Sequence, residues 1–124
     1  MSSDHIHFFL QLRDQLKLYH WQTHVYSRHV ATDKILEALE HNIDSFVEIY
    51  IGKYGRPKLS KKHLSITLQN LTEAGAMRLV KASHKHIQTV ISASLDPRLD
   101  TDLCNIRDAL MGDLNQLLYL FTLH

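Results

Sequence analysis

Ten histidines in 124 residues are the first chemical signal of this chain, because at neutral pH an imidazole serves as a metal ligand, a proton carrier or an ordinary polar group. His20 and His24 stand four apart, and His29 follows after a short polar stretch. His20 continues the apolar row of Leu12 and Leu16, which sets an imidazole beside apolar surface at the end of a helix. Fifteen residues beyond His29 comes Asp44, and four further on Glu48. At that spacing both carboxylates project from one side of a helix and can grip one hard cation. Glu37 and His41 extend the same line, so a solvated polar helix face is the competing account. Mixed imidazole and carboxylate ligation suits iron, zinc or manganese, whereas an all-oxygen set favours magnesium or calcium. The usual di-iron site of a bundle core needs a Glu-x-x-His pair on each of two helices. No Glu here is followed three residues later by His, so one subunit does not supply such a site by itself.

Helices must hold these residues, and the apolar periodicity predicts four. Phe9, Leu12, Leu16 and Tyr19 recur at three- and four-residue steps and predict a first helix from His5 to about Val25. A second, from about Arg28 to Tyr54 with Ser27 as its N-cap, carries Ile35, Leu36, Leu39, Ile43, Phe46, Val47 and Tyr50, and Gly55, Arg56 and Pro57 stop it. The stretch from Lys58 to about Thr67 is a connection too long for a tight hairpin, with room for one helical turn. A third helix runs from about Leu68 to Ser94 on Met77, Val80 and Ile87, with Gly75 as its weak point. Asp96 before Pro97 marks a stop and restart, and Leu103, Ile106, Leu110, Leu114, Leu117 and Phe121 make the clearest stripe of all, on a fourth helix. Four helices without a strand pattern predict an all-α four-helix bundle with a long connection between the second and third helices, one domain spanning residues 1–124.

The composition narrows the function classes. A chain of this length builds one hydrophobic core, and four Gly with two Pro are too few for many tight turns. No window offers the run of about 18 to 20 apolar residues that a membrane span needs, and Met1 to His7 lacks the regions of a signal peptide, so a cytoplasmic protein is expected. A single cysteine, Cys104, forms no intrachain disulfide or thiolate cluster and is expected as a buried thiol. The formal net charge of +1, with only Lys58, Lys61 and Lys62 grouped, argues against nucleic acid as the main partner.

The segment Leu16 to Gly55, LKLYHWQTHVYSRHVATDKILEALEHNIDSFVEIYIGKYG, resembles the signature region of the Dps-type mini-ferritins, members of the ferritin-like superfamily. His20 with Trp21 matches the family's His-Trp pair near the end of the first helix, His29 its second histidine, and Asp44 with Glu48 its paired acids. The likeness extends more loosely through the middle connection and the last two helices.

The resemblance implies a ferritin-like bundle with inter-subunit ferroxidase sites, histidines from one subunit and carboxylates from the other. His20, His29, Asp44 and Glu48 are then both the metal ligands and the catalytic residues. Iron is the implied metal, with zinc or manganese as substitutes, and the implied activity is oxidation of iron(II) by peroxide or dioxygen for storage or detoxification. Self-association is implied, a homodimer at least and a twelve-subunit shell in the family pattern. Trp21 is then placed at the dimer contact, as an interceptor of radicals, or simply as an anchor of the bundle end. The chain departs from the pattern in a shorter loop between the histidines, in Ile49 where an Arg usually follows the Glu, and in having no Lys-rich N-terminal tail to hold DNA. Two alternatives stay open: a ferritin-like bundle without iron chemistry, structural or virion-associated and intravirion if virus-encoded, and a DinB-like hydrolase using His20, His24 and a carboxylate.

Overall fold

The apolar stripes read from the sequence converge on one core in the computed structural model, which describes residues 3–124. Four α-helices carry them: α1 (Ser3–Gln22), α2 (Tyr26–Tyr54), α3 (Glu73–His86) and α4 (Thr101–Leu120). α3 continues into a π-turn at Ile87–Ile91, and a 3-10 turn occupies Lys61–His63. No strand occurs among the described residues. Leu16, Tyr19, Leu39, Val80, Ile87, Leu103, Leu110, Leu114 and Leu117 are all fully buried, contributed by every helix and by the π-turn. Phe9 and Phe46 meet edge to face with ring centroids 5.5 Å apart, joining α1 to α2.

Helix order follows from the connections. Only Thr23–Val25 separates α1 from α2, so α2 folds straight back beside α1. α2 ends at Gly55, whose φ of 92° is a backbone region that a Cβ disfavours, and the Gly55 N–H closes the last turn on Ile51 O at 2.9 Å. The chain then climbs along α1. Ser60 N donates to Ser3 Oγ (2.9 Å), Thr67 N to Gln11 Oε1 (3.2 Å), Gln69 N to Gln15 Oε1 (2.8 Å), and Gln22 Nε2 to Asn70 Oδ1 (2.8 Å). Thr72 caps α3 by accepting from Gly75 N at 2.9 Å, so α3 starts at the same end of the bundle as α2 and runs parallel to it. α4 starts at the opposite end, where the Asp100 carboxylate takes Lys53 Nζ at 3.0 Å and the Tyr54 hydroxyl. It finishes with Phe121 under the Arg28 guanidinium. α1 and α4 therefore run one way and α2 and α3 the other, each helix packing between two antiparallel neighbours.

Four sequence expectations are corrected. α3 begins at Glu73 rather than Leu68, because the glutamines of α1 bind residues 67–70 in extended form and the Thr72 cap fixes the start. α1 ends at Gln22 rather than Val25, which leaves His24 in the connection instead of one turn beyond His20. Val25, not Ser27, holds the N-cap position of α2; the Ser27 hydroxyl lies within the first turn and donates to Leu123 O at 3.0 Å. Cys104 is half-buried on α4 rather than enclosed in the core. Among the described residues no helix is long and apolar enough to cross a membrane.

Candidate metal centre

His20 sits in the last turn of α1, where its buried ring meets the first turns of α2. Its Nδ1 lies 2.8 Å from Thr32 Oγ1. His29 stands beside it on α2 and donates from Nδ1 to His20 O at 2.9 Å. The two imidazoles are stacked, centroids 4.0 Å apart and planes 12° from parallel. Burial, and next the neighbouring charge of His29, hold the His20 pKa below its ordinary value, although Asp33 and the hydrogen bond to His29 act the other way. A histidine kept neutral has the lone pair that a metal needs. Arg28, the residue before His29, anchors this end: its Nη1 donates to Glu73 O (2.8 Å) and Tyr19 Oη (3.1 Å) and pairs with Glu73 Oε2 (3.3 Å), while the guanidinium carbon stands 4.4 Å from the Phe121 ring centroid.

Asp44 and Glu48 lie further along α2, both exposed, on the rim of a cleft between α1 and α2 that Ile6, Leu10, Val47 and Arg13 help to line. A second cleft in the same groove lies between this pair and the histidines and is lined by Arg13, Asp14, Lys17, Asp33, Glu37 and Glu40 among others. At about 100° per residue, His29, Asp33, Glu37, Glu40, Asp44 and Glu48 all fall on one face of α2. His41, predicted on this polar line, is exposed on the same helix.

The structure thus brings His20 to His29, and sets Asp44 one helical turn from Glu48, without bringing the two pairs together. Fifteen residues of α2 separate His29 from Asp44, about 22 Å at 1.5 Å per residue. Among the described residues no three His, Cys, Asp or Glu side chains gather closely enough to hold a metal ion. His24, the residue that the hydrolase alternative would use with His20, is an exposed loop residue.

Two residues beside the histidines escaped the sequence reading. Asp33 is the closer to chemistry: its Oδ1 lies 4.0 Å from His20 Nε2 and its side chain is largely exposed. The signal available for it was its position four residues after His29, one turn along the same face. Thr32, fully buried, faces His20 rather than the groove, and a β-branched residue inside a helix carries no such signal in sequence. Trp21 is 67% exposed, so it is not the anchor of its own bundle end.

The chain belongs to a family described as a family of unknown function (DUF5856), whose model matches residues 20–121. The matched stretch takes in His20, His29, Thr32, Asp33, Asp44 and Glu48. Neither a curated protein nor a solved structure matches the chain.

Proposed function

We propose that this protein is a Dps-like iron-binding protein whose metal sites form between two copies of the chain. The observation that carries the proposal is the placing of His29, with His20 of α1 stacked on it, about 22 Å from the Asp44 and Glu48 pair along one face of α2. An isologous two-fold contact of this face, with its axis near Glu37, sets His20 and His29 of each copy against Asp44 and Glu48 of the other and makes two equal sites. Arg13 and Lys17 of α1 share the groove with Asp14, Asp33, Glu37 and Glu40, a mixed-charge surface able to pair with itself in reverse. Exposed Trp21 adds apolar surface next to His20. A single long crossover between the second and third helices is also the connection that ferritin-like bundles use.

Imidazole nitrogens with carboxylate oxygens make a donor set suited to iron(II), which is here the substrate. His20 and His29 offer ligands from one copy, with Asp33 beside them, and Asp44 with Glu48 of the other add ligands and negative charge that stabilise the product iron(III). One electron leaves each iron(II), and peroxide or dioxygen accepts it. The neutral state of His20 keeps its ring available to bind iron(II) without first losing a proton.

Subunit complementation tests the proposal. A His20→Ala, His29→Ala variant and an Asp44→Ala, Glu48→Ala variant should each bind no iron(II). Unfolded and refolded together in equal amounts, they regain about a quarter of the wild-type sites, because half the dimers are mixed and each mixed dimer holds one intact site. No recovery, with wild-type binding intact, contradicts a shared site. No iron binding by the wild type leaves the chain as a structural or virion-associated bundle.

A further inference from the structure

We infer that Thr32 is a positioning residue that locks His20 in the Nδ1–H tautomer and so turns the Nε2 lone pair toward the metal; the inference rests on the iron-site proposal. The Thr32 hydroxyl lies 2.8 Å from Arg28 O and 3.1 Å from His29 O. Both are backbone carbonyls, which accept hydrogen bonds and never donate. In this arrangement the hydroxyl donates to the backbone one turn back, as threonine inside a helix commonly does. What remains toward His20 Nδ1, at 2.8 Å, is a lone pair of Oγ1. The imidazole must supply the proton, and a neutral ring protonated at Nδ1 has its lone pair at Nε2.

Geometry on the far side of the ring agrees. Nε2 of His20 lies 4.0 Å from Asp33 Oδ1, beyond hydrogen-bond reach, so the carboxylate does not draw a proton onto Nε2 by a direct bond. His29 obeys the same logic, because its Nδ1 meets a carbonyl, His20 O, and must also carry the proton. The backbone of His20 thus orients His29, while the side chain of Thr32 orients His20. Both rings present Nε2, and Thr32 is the only one of the two holding groups that a substitution can remove. Outer partners of this kind fix the tautomer and raise ligand basicity, and losing one typically weakens metal affinity 10- to 100-fold.

The test uses the full chain as wild type, Thr32→Ser and Thr32→Val, with imidazole nitrogen NMR of the metal-free protein and titration with zinc(II) alone. Wild type and Thr32→Ser should show His20 protonated at Nδ1, and Thr32→Val should lose that state. Zinc(II) affinity should fall about 10- to 100-fold in Thr32→Val and recover in Thr32→Ser. A wild-type His20 protonated at Nε2, or a folded Thr32→Val variant binding zinc(II) like wild type, overturns the inference while leaving the iron-site proposal standing. Should Thr32→Val fail to fold, the wild-type tautomer and the Thr32→Ser titration decide alone. A wild type that binds no zinc(II) or iron(II) contradicts the iron-site proposal itself, and the ligand role of His20 with it.

Discussion

The ring of His29 lies flat against that of His20, planes 12° apart, while its Nδ1 is tied to the carbonyl of the same residue it stacks on. His20 is buried and His29 exposed, so for the proposed shared site their substitutions separate binding from stability.

His29→Ala removes an exposed ring with one hydrogen bond and one stacking contact and should cost no more than about 1 kcal/mol of folding stability. His20→Ala takes a ring out of a packed site and strands the lone pair of Thr32, at a cost of about 1 to 3 kcal/mol. Both should weaken iron(II) binding at least tenfold. Urea unfolding alongside iron(II) titration checks the contrast, and equal loss of stability in the two variants contradicts it.

Three histidines, His5, His20 and His86, have their pKa held below the ordinary 6.5, in each case chiefly by burial. His86 also lowers the tendency of His5 to charge, Asp4 opposes the shift of both, and His5 Nδ1 and His86 Nε2 are buried with no hydrogen-bond partner among the described residues. On unfolding these rings regain the ordinary value and take up protons. Stability is therefore full above about pH 6.5 and falls as pH drops through 6.5 toward the folded values. The Tm should decrease between pH 7.5 and 5.5. His86→Phe, which keeps the stack on Phe8 at 4.1 Å, should flatten that slope; an unchanged slope contradicts the assignment.

Arg28 joins three helices and the end of α4 through Glu73, Tyr19 and Phe121. Arg28→Ala should destabilise the bundle by about 2 kcal/mol, since a hydrogen-bonded, mostly buried charge leaves its acceptors unsatisfied. Because Arg28 precedes His29, Arg28→Lys should also weaken metal binding more than it lowers the Tm, the planar guanidinium having no equal in an ammonium. Thermal unfolding and metal titration of both variants check this.

α2 and α4 were the most legible elements, because each sets an uninterrupted apolar stripe on a helix bounded by strong stops, Gly55 with Pro57 and Asp96 with Pro97. The start of α3 was misread. Leu68 opens the predicted helix but belongs to the crossover, held there by the Gln11 and Gln15 side-chain oxygens, which accept from Thr67 N and Gln69 N, and by the Gln22 amide, which donates to Asn70. Such long-range bonds leave no trace in local periodicity. The same holds at the site. The spacing of Asp44 and Glu48 is a property of one helix and could be read directly. The stack of His20 on His29, the Thr32 contact and the approach of Asp33 depend on how α2 folds back on α1. The alternative that would use His24 with His20 rested on α1 reaching Val25, whereas α1 ends at Gln22 before the turn is completed.

Anaerobic iron(II) titration followed by peroxide, comparing wild type with Asp44→Ala, Glu48→Ala, tests the shared site most directly. Saturable binding of about one or two iron(II) per site with rapid oxidation in the wild type, and the loss of both in the variant, is the predicted result. Undiminished binding in the variant would contradict ligation by the partner's carboxylates.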